Sequence, residues 1–198
     1  MPDTPYQRLL HQWAPAMLPV GLLLLTTAGV LATVLPTWWV LVWLQLPLYV
    51  LHQYEEHDGG RFGRWVNARL GRHGREVLTP TDILVINLPL VWGVITLSAA
   101  LALWVRPGLG LIAPYLTLSN AIVHIGPALA MRAYNPGLIT AVALFLPGGA
   151  AAVAAVQQTG DATLAMHALA GATTVVLHGL IIVKVLATRH ATLAPSAR

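Results

Sequence analysis

The chain has 198 residues, no cysteine and a formal charge of +4, with 57% hydrophobic against 9% charged residues and a mean hydropathy of +0.69. That balance excludes a soluble globule and points to an integral membrane protein, while the lack of cysteine excludes disulfides, thiolate nucleophiles and sulfur-rich metal sites. The basic excess would suit nucleic acid in a soluble chain, but here the arginines fall between apolar segments, where they set membrane orientation; no nucleic-acid partner is expected.

Six apolar segments follow in order, at 17–35, 38–54, 83–105, 111–131, 138–156 and 164–183. Each is near the ~20 residues that cross a hydrocarbon core as a helix. Nothing alternates with period two, and an open sheet cannot satisfy its backbone in lipid. The expected fold is all-α, a polytopic membrane bundle of about six transmembrane helices in a single domain over 1–198. The first run is not a cleavable signal: it is too long, has Pro15 and Pro19 at its start, and is followed by five more of its kind. Breakers at Pro36, Pro107-Gly108, Pro136-Gly137 and Gly160 make the connections short and consecutive helices antiparallel neighbours.

With the first residues inside, Arg8, Arg61, Arg64, Arg69, Arg72, Arg75, Arg132, Lys184, Arg189 and Arg198 fall on the cytoplasmic side, leaving only Arg106 outside. The bias puts both termini in the cytoplasm, in what reads as a bacterial inner membrane. Trp38, Trp39 and Trp104 then belong to the outer interface and Trp13 to the inner one. The cytoplasmic stretch at 58–81 is the one sizeable soluble piece. After Gly59-Gly60 it places Phe62, Trp65, Val66 and Leu70 on one side of a short helix and Arg61, Arg64 and Arg72 elsewhere, the pattern of a basic interfacial helix; a plain arginine-rich loop is the alternative. Thr79-Pro80-Thr81-Asp82 has the form of a cap opening the third span.

The chemistry gathers in Leu51-His52-Gln53-Tyr54-Glu55-Glu56-His57. In a continuous helix Glu55 and Glu56 stand three and four residues after His52, so imidazole and carboxylates share a face. At ~1.5 Å per residue His52 is ~6 Å from the cytoplasmic end of its span, His124 ~10 Å, His178 ~9 Å and Asn87 ~8 Å. Four helices thus carry polar groups to one half of the bilayer. A buried histidine bonded to a backbone carbonyl, or two glutamates simply wetted at the interface, is the plainer reading. Against it, an ionised acid in a membrane helix costs ~2.5 kcal/mol or more, and the second span must draw the motif inward to reach spanning length. Glu56 at ~40° from His52 is the better-placed ligand, and Glu55, turned to the other side at ~300°, is the expected base. Asn120, one turn before His124, is placed to orient it. His57 reads as a loop residue, His11, His73, His167 and His190 fall outside the convergence, and Pro47 and Pro89 kink the helices close to it.

His-x-x-Glu-Glu at 52–56, a later histidine at 124 and Tyr134-Asn135-Pro136-Gly137 together resemble the family of integral membrane proteins named for its HXXEE motif. The resemblance covers about 51–137 and implies membrane location and a shared polar site, without supplying a reaction. Pro136-Gly137 suits the centre of a type II turn, from which the Tyr134 hydroxyl would hang over the site.

The leading reading is a membrane-embedded metalloenzyme, a hydrolase before an oxidase, acting on a lipophilic or amphiphilic substrate taken from membrane lipid. His52, Glu56, His124 and His178 are the expected ligands of Zn²⁺, Fe²⁺ or Mn²⁺, Glu55 and Tyr134 the catalytic groups, and Asn87 and Asn120 their outer partners. A proton- or cation-coupled carrier, working as a homodimer, and a structural protein whose polar cluster only locks the bundle are the rival readings.

Overall fold

A computed structural model describes residues 4–71 and 75–193, with side chains up to His190. Arg72 and Arg198, assigned above to the cytoplasmic side, and His73 lie outside the described residues. The described chain is helical, with no β-strand in it. We number the helices α1 (Pro5–Leu31), α2 (Thr37–His57), α3 (Arg61–Leu70), α4 (Pro80–Trp104), α5 (Pro107–Met131), α6 (Leu138–Gln157) and α7 (Leu164–Leu193).

Five of these, α1, α4, α5, α6 and the stretch Leu164–His190 of α7, are long and apolar enough to cross a membrane. The sixth expected span, α2, has 21 residues but is not apolar enough to be counted with them. The reason is its position. Helices α1, α4, α5 and α6 all pack on α2, and Gln45, His52, Gln53, Glu56 and His57 are buried against protein, so polarity that lipid would penalise is here met by partners. Two glycines let α6 approach its neighbours: a Cβ at Gly148 would stand 2.6 Å from Leu48 of α2 and one at Gly149 2.7 Å from Leu118 of α5.

Local chemistry sets the helix ends. Thr4 and Gln7 form a capping box, so α1 begins twelve residues before the apolar run that marks it in the sequence and passes through both Pro15 and Pro19. Thr79 and Asp82 form the expected box at the start of α4. Between α2 and α3, Gly59 and Gly60 adopt φ of +59° and +73°, which breaks the helix, and the Arg61 guanidinium donates back to the Tyr54 carbonyl at 3.1 Å, covering the exposed end of α2. Helices α4 and α6 each open into a wide, five-residue-spaced turn, at Ile86–Trp92 around Pro89 and at Ala141–Phe145 just before Pro147, where a proline cannot donate and its ring displaces the preceding turn.

Tyr6 near the start of α1 bonds Thr81, and Lys184 near the end of α7 pairs with Asp82, so α1 begins and α7 ends at the same end of the bundle as α3. We call it the basic end. Two expectations about tryptophans change. Trp13 is buried, its ring 5.4 Å from that of His57, and Trp39 is buried with its indole N–H on the Ala99 carbonyl at 2.8 Å; Trp104, 80% exposed, stays at the surface. Helix α3 is the expected amphipathic piece, with Phe62 and Val66 turned onto the bundle.

Candidate metal centre

The second half of α2 faces α5 and the start of α6, and this brings His52, Glu56 and His124 together, all buried, with one potential ligand atom from each lying within 4.8 Å of the others. Glu56 is the hub. Its Oε2 is 3.4 Å from His52 Nε2 and 3.1 Å from His57 Nε2, and its Oε1 is 3.6 Å from His124 Nε2.

The hydrogen-bond partners fix which nitrogens carry hydrogens. Asn135 gives its amide N–H to the His124 carbonyl at 2.8 Å, so its side-chain oxygen, 2.9 Å from His124 Nδ1, must accept from that ring nitrogen. The Thr140 hydroxyl donates to Glu55 Oε2 at 2.5 Å, so its oxygen, 2.8 Å from His52 Nδ1, accepts from the ring. On the other side the Trp92 indole can only donate. It bonds Gln53 Oε1 at 2.6 Å, which turns the Gln53 amide onto Asn87 Oδ1 at 2.7 Å, and the Asn87 amide then donates to the Ile83 carbonyl and stands 3.0 Å from His57 Nε2. The Nε2 atoms of His52 and His124 are therefore lone pairs facing Glu56, whereas the partners of His57, whose Nδ1 is buried without one, leave its tautomer open.

A carboxylate facing lone pairs with no hydrogen between them is repulsive in a buried site. A cation reverses the sign. An ion holding tetrahedral ligands at ~2.0–2.1 Å has them about 3.3 Å apart; one ligand atom from each residue lies within 4.8 Å of the others, so an ion would draw them closer, and Nδ1 hydrogen bonds to an amide or hydroxyl oxygen are the means by which ligating imidazoles are oriented. The His124 Nε2 atom is buried without a hydrogen-bond partner, as a free ligand position would be. The three residues could hold a divalent metal ion.

Other expected site residues land elsewhere. Glu55 does not join the cluster: it accepts from the Ile139 and Thr140 backbone N–H groups at 3.1 and 2.7 Å, from the Thr140 hydroxyl and from the Tyr134 hydroxyl at 2.9 Å. It caps the start of α6 from outside that helix, where the free N–H groups favour an anion. Tyr134 accordingly hangs over Glu55, not over Glu56; partial burial, and then the adjoining carboxylate, push its hydroxyl above its usual range, so it stays a donor. His57, expected in a loop, is the buried last residue of α2. Asn120 lies 3.4 Å from His52 Nε2, and the orienting partner of His124 is Asn135. Asn87 serves as the outer partner of His57. His178 stands apart from the cluster, its Nδ1 3.0 Å from the Thr174 carbonyl one turn back, but it lines the same cleft as Glu56.

The turn after α5 ties these parts together. The Leu138 N–H bonds the Asn135 carbonyl at 3.1 Å and Gly137 sits at φ +97°, ψ −11°, the third position of a type II turn. Within four residues it supplies Tyr134 to Glu55, Asn135 to His124, and a glycine against both imidazoles. Asn135 was visible in the sequence only as the variable place of the turn motif, and Thr140 had no signal of its own.

A family model described as a protein of unknown function with HXXEE motif matches residues 43–152, which takes in most of α2, α3, α4, α5 and most of α6. No curated protein and no solved structure matches. The match covers more than half of the chain and both halves of the histidine–glutamate cluster: the chain belongs to the HXXEE-motif family.

Proposed function

We propose that the chain is a membrane-embedded, metal-dependent enzyme in which His52, Glu56 and His124 hold one divalent first-row ion, with hydrolysis the reaction the site suits best. The observation that carries this is the pair of imidazole lone pairs, on His52 and His124, turned on one buried carboxylate by partners that fix their tautomers. Two imidazoles and a carboxylate suit Zn²⁺, Fe²⁺ or Mn²⁺, and three protein ligands leave a position for water, whose acidity such an ion raises. Glu55 is committed to the start of α6, so the base role passes to His178: its Nδ1–H is held by the Thr174 carbonyl, which leaves Nε2 as the basic nitrogen of a ring lining the cleft. On the positive-inside rule the basic end faces the cytoplasm and the site opens in the inner leaflet.

Protein purified without chelator is expected to carry close to one equivalent of metal by elemental analysis. His52→Ala, Glu56→Gln and His124→Ala should each lose it while His11→Ala and His167→Ala keep it. Retention of metal by all three ligand variants would overturn the proposal.

A further inference from the structure

The candidate centre does not open towards the basic end, where Phe62 packs over it with its ring 5.8 Å from those of His57 and His124. Glu56 instead lines a narrow cleft of about 110 Å³ between α4, α5 and α7. The walls are made by Ile86, Leu90, Val91, Leu116, Leu177 and Ile181, with Asn87, Asn120 and His178 set among them. A groove between α4 and α7 shares Ile86, Leu90 and Ile181 with this cleft and continues past Val85 and Leu180, which are 54% and 60% exposed. Asp82 and Lys184 pair across the same groove at the basic end, closing it there. The opening is therefore sideways, onto the surface that hydrocarbon covers.

We propose that this cleft takes a single unbranched apolar chain with an uncharged polar end group, drawn from the bilayer between α4 and α7. Volume and charge both select it. At about 110 Å³ the space is below the ~300–1,000 Å³ of sites that take a drug-sized molecule, so it admits one narrow chain and not a two-chain phospholipid. Among the described residues lining the cleft, Glu56 is the one carboxylate and there is no lysine or arginine, so a charged head would be buried without a counterion. A carbonyl or hydroxyl end group, by contrast, meets Asn120, His178 and the open position beside Glu56. The chemistry done on that group rests on the metal reading; the binding of the chain does not.

The test is photolabelling in detergent with a long-chain alcohol bearing a mid-chain diazirine, on metal-loaded and on metal-stripped protein, with adducts placed by mass spectrometry. Adducts are expected on Leu90, Leu177 or Ile181 in both forms, displaced by excess unlabelled alcohol. They should fall at least fivefold in Leu90→Trp and in Ile181→Trp, each checked for monodisperse elution. Labelling confined to outward residues such as Val176 and Val183 would overturn the inference. So would equal labelling of the cleft by a diacyl phospholipid probe, or no fall in a well-folded tryptophan variant. If the ligand variants keep their metal while cleft labelling stands, the metal reading fails and this one does not; the reverse pattern separates them the other way.

Discussion

Gly137→Ala tests the site through a residue with no side chain. At φ +97° an L-residue is strained by ~1–2 kcal/mol, and the added methyl would lie 2.6 Å from His124 Cε1 and 2.8 Å from His52 Cε1, an overpacking that costs typically ~1–3 kcal/mol. The expected loss of stability is thus ~2–5 kcal/mol. Relief comes from shifting the two imidazoles, and displacing ligands in this way is expected to lower metal affinity ~10–100-fold. Gly160→Ala is the control, since Gly160 has φ +75° and an added methyl there would meet nothing within 4 Å, so it should show the conformational cost alone with unchanged metal affinity. Stability would be read by denaturant titration in mixed micelles and affinity by competition with a chromogenic chelator. If the two alanine variants behave alike in both assays, the packing of Gly137 on a metal-binding histidine pair is not what the turn is for.

Glu55→Gln is expected to keep its metal and to lose ~1–3 kcal/mol of stability, because an amide N–H would be turned on groups that all donate; loss of metal with intact stability would move Glu55 into the centre. Asn135→Ala removes the acceptor that holds His124 Nδ1 and should weaken metal binding ~10–100-fold while leaving every ligand in place, as measured by chelator competition. At the opposite end of the bundle, the Arg106 guanidinium and then the Gly108 N–H hold the Asp161 carboxyl below the usual carboxylate range. A lowered folded-state pKa contributes stability above the ordinary carboxylate range near pH ~4, lost as pH falls through the depressed value, so Asp161→Asn should flatten the acid limb of an unfolding-versus-pH series. An unchanged limb would mean that this pair carries no linkage.

Depth along the helices was enough to bring His52 and His124 to one level, because it needs only segment ends and a fixed rise per residue. Angle was harder. Glu55 and Glu56 were separated by their directions from His52, and Glu56 does lie among the imidazoles, but nothing in α2 itself says that a second helix begins opposite Glu55 with its N–H groups free. That depends on the Asn135–Leu138 turn swinging α6 back onto α2, a tertiary event. His57 was lost for a related reason: its place turns on whether α2 stops before or after it, and the stop is set by Gly59 and Gly60. His178 has the right depth but faces the cleft from across it. By sequence, 38–54 reads as a sixth span, but α2 is less apolar than the five helices long and apolar enough to cross a membrane, and its polar residues are buried by neighbouring helices.

That last point bears on how the chain enters the membrane. Taken alone, α2 is a poor candidate for insertion, since it is less apolar than the five helices that could span and its apolar part runs short before the polar His52–His57 end. Helix α1 precedes it with a long apolar run and packs along it, Gly21 lying so close to Val50 that a Cβ would stand at 2.7 Å. If α2 spans, this packing makes insertion of the two as a helical hairpin the expected route, with α1 covering the Val50–Leu51 side of α2 while α5 and the Tyr134–Gly137 turn later enclose the histidine–glutamate face. Weakening the α1 side by Gly21→Leu should then show first as failed α2 translocation in a glycosylation-mapping assay, before any loss at the centre itself.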